Sequence, residues 1–162
     1  MDDEEELRTA YHEAGHCVMA VLCGARAEFA TILPTASESP EEIGFFGRAE
    51  IHWPRRSSTA DKLSVILSGP VAELIYRNEP LHPAFVKEHV EDWATAWSLA
   101  RPHAADDQKC MLLLEQIVAK LYRTLSTDAY WAAIAAVQDL LMAHQEIEHE
   151  QIEYEVRAWL NQ

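Results

Sequence analysis

Apolar residues at Leu7, Ala10, Tyr11, Ala14, Val18, Val21 and Leu22 recur at spacings of three and four, and Gly24 follows them. That period is one face of an α-helix with a stop behind it, and it predicts a helix over about residues 5–23. After Glu13 the opposite side carries Met19, Ala20 and Cys23 in place of charge, so the second half of this helix is expected to be buried on more than one face. The pattern then shortens. Residues 27–33 and 44–53 are β-branched and aromatic runs separated by the polar stretch PTASESPEE, and they read as two strands joined by an exposed acidic loop over 34–42. Ser57, Ser58 and Thr59 offer cap chemistry for a helix over about 59–77. Gly69-Pro70 is expected to kink that helix, because Pro70 has no N–H for the carbonyl four residues back. Val86, Val90, Trp93 and Trp97 mark a helix over about 84–101, and three further stripes predict helices over 107–125, 128–145 and 148–160. No repeat and no long linker divides the 162 residues. The expected fold class is mainly α, a single domain over 1–162 with a small two- or three-stranded β element.

Charge narrows the function classes. Thirteen Lys+Arg stand against 27 Asp+Glu, a net charge of −14, and the only adjacent basic pair is Arg55-Arg56. A phosphate-binding surface needs clustered cations, so nucleic acid is not an expected partner, and the same field disfavours an anionic membrane surface. The strongest apolar stretches fall short of the roughly 20 residues a spanning helix needs, so membrane insertion is not expected. The sequence opens MDDEEELR, acidic where a secretory signal is basic and then apolar. Cys17, Cys23 and Cys110 are an odd number set in apolar helical patterns, which predicts reduced thiols packed as small hydrophobes. Together these features predict a cytoplasmic or other reducing, soluble compartment. Four of the five tryptophans, Trp93, Trp97, Trp131 and Trp159, fall on or beside helical stripes and read as packing. His144 and His149, five apart among glutamates, read as a solvated pair.

The segment YHEAGHCV adds chemistry to the first helix. His12 and His16 are four apart, so they lie one turn apart and about 40° around the axis, and both imidazoles can reach one zinc ion from the same face. Glu13 is rotated by about 100° from His12, beside the metal position, where it can accept a proton from water and pass it to a leaving amine. Gly15 and Ala14 are small enough to let substrate or a neighbouring backbone come close. Ligand histidines must be neutral, so metal affinity is expected to fall below about pH 6. Two histidines do not close a catalytic site, and a third ligand has to come from elsewhere in the fold. In VKEHVEDWATAWSLAR three groups can point at a metal, Glu88, His89 and Asp92, and spacing does not choose among them.

The order of these segments resembles the peptidase domain of the FtsH family of ATP-dependent zinc metallopeptidases, over nearly the whole chain. YHEAGHCVMAVL is similar to that family's zinc helix, and ATILP followed by GFFGRAEI to its strand pair, in which the second strand receives substrate along an edge. LSVILSGPVAELIY resembles the following helix, EDWATAWSLAR the segment whose Asp supplies the third zinc ligand, and DLLMAHQEIEHEQIEYEV the closing helices. The resemblance implies that His12, His16 and Asp92 bind Zn2+, that Glu13 is the base, and that Glu73 stands behind the site holding a ligand histidine in its tautomer. It also implies an unfolded or extended polypeptide as substrate and a ring-like homo-oligomer. Two departures stand out: Pro70 in the middle of the second helix, and the acidic insertion SESPEE before the edge strand. Neither the family's membrane helices nor its ATPase module is recognisable here, so the expectation is a peptidase acting alone or docked on a separate ATPase. The competing expectation is a non-catalytic helical interaction module that keeps zinc by descent.

Overall fold

The computed structural model describes residues 2–34, 47–80 and 89–160, and among them the chain forms six α-helices and one three-stranded antiparallel sheet. The acidic loop and the part of the third helix before His89 lie outside the described residues, as do Glu88 and Gly44. No helix among the described residues is long and apolar enough to cross a membrane.

Helix α1 spans Asp3–Leu22. Asp2 accepts the Glu5 N–H at 2.8 Å while the Glu5 carboxylate accepts the Asp2 N–H at 3.2 Å, so two N–H groups at the helix start are satisfied reciprocally. The acidic run also lies at the positive end of the helix dipole, which favours it by typically ~0.3–1 kcal/mol per group. Gly24, at φ +76°, turns the chain out of α1. Strands β1 (Arg26–Thr31) and β2 (Arg48–His52) pair antiparallel with Ala30 opposite Ala49, and a bulge between Ala27 and Phe29 leaves Glu28 as the extra residue. Helix α2, Thr59–Tyr76, is capped by Ser58, whose side chain accepts the Asp61 N–H, and it continues through Gly69-Pro70 without a break.

Helix α3, Val90–Ala100, passes into a short 3-10 turn at Arg101–His103, where Pro102 sits. Helices α4 (Asp107–Leu125) and α5 (Asp128–His144) follow the expected stripes. The last helix starts within a residue of its expected position, but a strand that the pattern does not locate precedes it. Gln145 adopts φ +66°, and the chain forms a third strand, β3 (Glu146–Glu148), before α6 (His149–Leu160). Ile147 pairs opposite Ala30 and is fully buried, so β3 closes one side of β1 and leaves β2 at the edge. His149 is correspondingly buried at 9% exposure, its Nε2 3.4 Å from Glu153, and the reading of His144 and His149 as a solvated pair holds only for His144. The reason is the strand, which turns the start of α6 onto the core.

The core forms where α1 packs along α2 on one side and α5 on the other. Gly15 makes the first contact close: a Cβ there would lie 2.5 Å from the Ser68 carbonyl oxygen and 2.8 Å from the Ala72 Cβ. Tyr11 stacks between Tyr76 and Trp131, with ring centroids 4.4 and 5.2 Å away. Cys17 and Cys110 are buried, Cys23 is half-buried and all three are free thiols. Trp53, Trp93, Trp97 and Trp131 pack against the core, whereas Trp159 stays half exposed at 51%.

Candidate metal centre

The helical period of α1 and the first turn of α3 bring three donor atoms to one point. His12 Nε2 lies 2.9 Å from Asp92 Oδ2, His16 Nε2 lies 3.3 Å from the same oxygen, and the two Nε2 atoms are 3.1 Å apart. Four ligands at zinc bond lengths of about 2.0–2.2 Å in a tetrahedron are spaced about 3.3 Å from one another, so this triangle has the dimensions of three corners of such a site.

The far side of each ring fixes which atom faces inward. His16 Nδ1 donates to the Val65 carbonyl at 2.8 Å, and His12 Nδ1 lies 3.2 Å from Glu73 Oε2. A proton on each Nδ1 leaves the Nε2 lone pairs pointing at each other and at a carboxylate oxygen, an arrangement that repels unless protons or a cation lie between them. The donor set therefore fits zinc: two imidazoles oriented by hydrogen bonds from behind, and one carboxylate.

Room for the His16 ring comes from α2. A Cβ on Gly69 would press on the face of the His16 ring, 2.6 Å from Cε1 and 2.7 Å from Cδ2, well inside contact distance. The next residue, Pro70, withholds the N–H that would bond the Ile66 carbonyl, while the Val65 carbonyl takes both His16 Nδ1 and the Ser68 hydroxyl. The pair that reads in sequence as a helix defect is thus the seat of a histidine.

Electrostatics agree with a cation site. Burial works against a charged His12, but hydrogen bonds to Asp92 and Glu73 outweigh it and raise its pKa to about 10. His16 is raised as well, its burial outweighed by the charge of Asp92. Burial alone would raise Asp92, yet His16 and His12 hold its carboxyl well below the usual carboxylate range. Positive charge is thus favoured at the point where a metal would sit, by the same carboxylate.

Glu13 is 5% exposed, and its Oε2 has no hydrogen-bond partner among the described residues. Burial pushes its pKa up, opposed by the charges of His12 and His16. An unpaired, basic oxygen beside the three donors is what a general base needs. Gly47 lies close against this turn of α1, since a Cβ there would run into Thr9 Cγ2 and fall 3.1 Å from Glu13 Oε1.

Of the residues expected from sequence, His12, Glu13, His16, Glu73 and Asp92 converge. Glu73 is 9% exposed, and although burial alone would raise its pKa, the hydrogen bond from His12 and the charge of His89 hold it low. His89 is not at the three-donor point; its Nε2 lies 3.2 Å from Glu73 Oε2. Sequence reasoning missed Gly69, Gly47 and the Val65 carbonyl. The Gly69-Pro70 step was the only signal for the first, and a backbone carbonyl leaves none.

An open cleft of about 730 Å³ runs from His12, Glu13 and His16 to β2, reaching Gly47, Ala49 and Trp53, with Ile66 and Leu99 on its other wall. Arg48, Ala49 and Ile51 of β2 line this cleft, and no strand of the described sheet lies on the side of β2 away from β1.

No family model matches the chain. Among curated proteins it is 27% identical over 124 residues to the ATP-dependent zinc metalloprotease FtsH 2 of Methylacidiphilum infernorum (isolate V4), an alignment covering 70% of this chain and 19% of that protein. The chain thus spans about one fifth of the length of the curated relative it matches, and the similarity is a distant one.

Proposed function

We propose that the chain is a zinc-dependent peptidase in which His12, His16 and Asp92 hold one zinc ion and Glu13 is the general base. The observation that carries this reading is the convergence of three donor atoms within 3.3 Å of one another beside a buried, unpaired Glu13 oxygen. When bound, the ion supplies Lewis-acid polarisation of a peptide carbonyl and lowers the pKa of water beside it.

The chain's own groups do the rest. Glu13 Oε2 takes the proton that water loses on attacking the carbonyl and delivers it to the departing amine nitrogen. Glu73 holds the His12 ring through Nδ1, and the Val65 carbonyl holds that of His16. The substrate is an extended segment that adds to the edge of β2 that no described strand covers. Main-chain pairing supplies its affinity, which leaves little demand on sequence and excludes folded proteins unless a separate ATPase unfolds them.

The test uses protein purified without a His tag. Metal analysis is expected to give one zinc per chain after incubation with zinc at neutral pH, and unfolded casein is expected to be cleaved by the parent but not by Glu13→Gln. A chain that stays empty removes the metal; a chain that binds zinc and leaves casein intact is a zinc-holding interaction module, not a peptidase.

A further inference from the structure

Two imidazoles approach one oxygen of Glu73: His12 hydrogen-bonds to it, and His89 lies within ion-pair distance of it. Glu73 Oε2 lies 3.2 Å from His12 Nδ1 and 3.2 Å from His89 Nε2, and the two rings tilt together with centroids 4.9 Å apart. His89 is the N-cap residue of α3, a position where Ser, Thr, Asp or Asn normally bonds the first turn, yet its side chain makes no capping bond. It turns instead to α2. The fully buried residues of α3, Ala96 and Ala100, lie in its second half; in its first turns Val90 is 72% exposed, Trp93 packs against the core and Asp92 faces His12 and His16.

We propose that His89 is a positioning residue: through its 3.2 Å contact with Glu73 it fastens the first turn of α3 to α2 and so helps to place Asp92 against His12 and His16. One carboxylate then joins three helices, α1 through His12, α2 through its own backbone and α3 through His89. The arrangement of the third ligand and the orientation of the first depend on a common atom. The proposal rests on the zinc reading for its consequence, but the fastening itself exists without metal, so the two fail separately.

The first measurement is therefore metal-free. Equilibrium unfolding in EDTA of the parent, His89→Ala, Glu73→Gln and the double variant is expected to be non-additive, the double variant being no less stable than the worse single one. Strictly additive effects would overturn the proposal whatever the protein does with zinc. The second measurement is zinc affinity by chelator competition, with the visible absorption of the Co2+-substituted protein as a report on ligand geometry. His89→Ala is expected to lose about 10–100-fold in affinity and to change the Co2+ bands. His89→Gln, whose amide N–H can still reach Glu73, is expected to recover most of both. Parental affinity and an unchanged spectrum in His89→Ala, or a Gln variant as impaired as the Ala one, would each show that the Nε2 contact does not place Asp92. A parent that binds no zinc would sink the metal reading and leave the unfolding cycle to decide the fastening.

Discussion

Glu13 and His12 differ by one position in the chain and by their whole chemistry in the site, because a 100° step around α1 separates a residue aimed at the donors from one beside them. Replacing Glu13 by Gln keeps shape and burial but removes the proton acceptor. Zinc content and melting temperature are expected to stay at parental values while casein cleavage falls by about 10²–10⁴-fold, the usual scale of a general base. Full activity in that variant would mean a different base. Asp92 is tested beside its neighbours: Asp92→Ala should weaken zinc binding in chelator competition far more than Glu88→Ala, with His89→Ala between them. Tight zinc in Asp92→Ala would show that the third ligand has been misplaced. At this scale the HExxH pair was legible because its geometry is local to one helix. The third ligand was not, since Asp92 meets His12 across 80 positions and only the resemblance picked it out from Glu88 and His89.

The elements carry a different part of the argument. Apolar period located α1, α2, α4 and α5 to within a residue or two, since their apolar positions recur at three and four, although α1 and α2 also bury the unbroken runs 13–20 and 67–74. It missed β3, where EIE is too short to show an alternating pattern and the chain reverses at Gln145, a residue that seldom marks a positive φ. Without β3 the sheet has no centre, so the exposure of the β2 edge to the cleft was legible only through the resemblance. Gly69-Pro70 was read as a kink, and nothing in the sequence signalled that Gly69 also leaves the space for the His16 ring. In Gly69→Ala the better helix propensity contributes about 1 kcal/mol towards stability, while the clash with an aromatic ring costs about 1–3 kcal/mol. A modest fall in melting temperature is expected, together with a disproportionate loss of zinc affinity as His16 is pushed off its carbonyl. Calorimetry and chelator competition on the same sample separate the two; a variant that loses stability but binds zinc as the parent does would place the ring elsewhere.

For the whole molecule, metal and protons compete for the same three groups, and this makes stability depend on pH differently with and without zinc. In the metal-free protein His12 is raised from 6.5 to about 10, so its contribution is fully present below 6.5 and is lost as pH rises towards 10. Asp92 is depressed from 3.8, so its contribution is present above that value and is lost as pH falls below it. From these two groups the metal-free protein is expected to be most stable between about pH 4 and about pH 6.5, and to weaken through neutrality. Zinc must displace the His12 and His16 protons, so its apparent affinity rises across the range in which the metal-free fold weakens. The proton competition reaches well above the pH 6 limit that ordinary histidines would set, because Asp92 and Glu73 hold the imidazolium. The expected outcome is a zinc-induced rise in melting temperature that grows steadily from about pH 6 to about pH 8.5. The net charge of −14 adds self-repulsion that also varies with pH, so the scans belong at about 0.15 M salt, where exposed charges are screened beyond about 8 Å and the buried site is screened much less. A zinc-induced shift that is flat over this range would mean that no proton leaves when the metal enters, and the three groups could not then be the ligands.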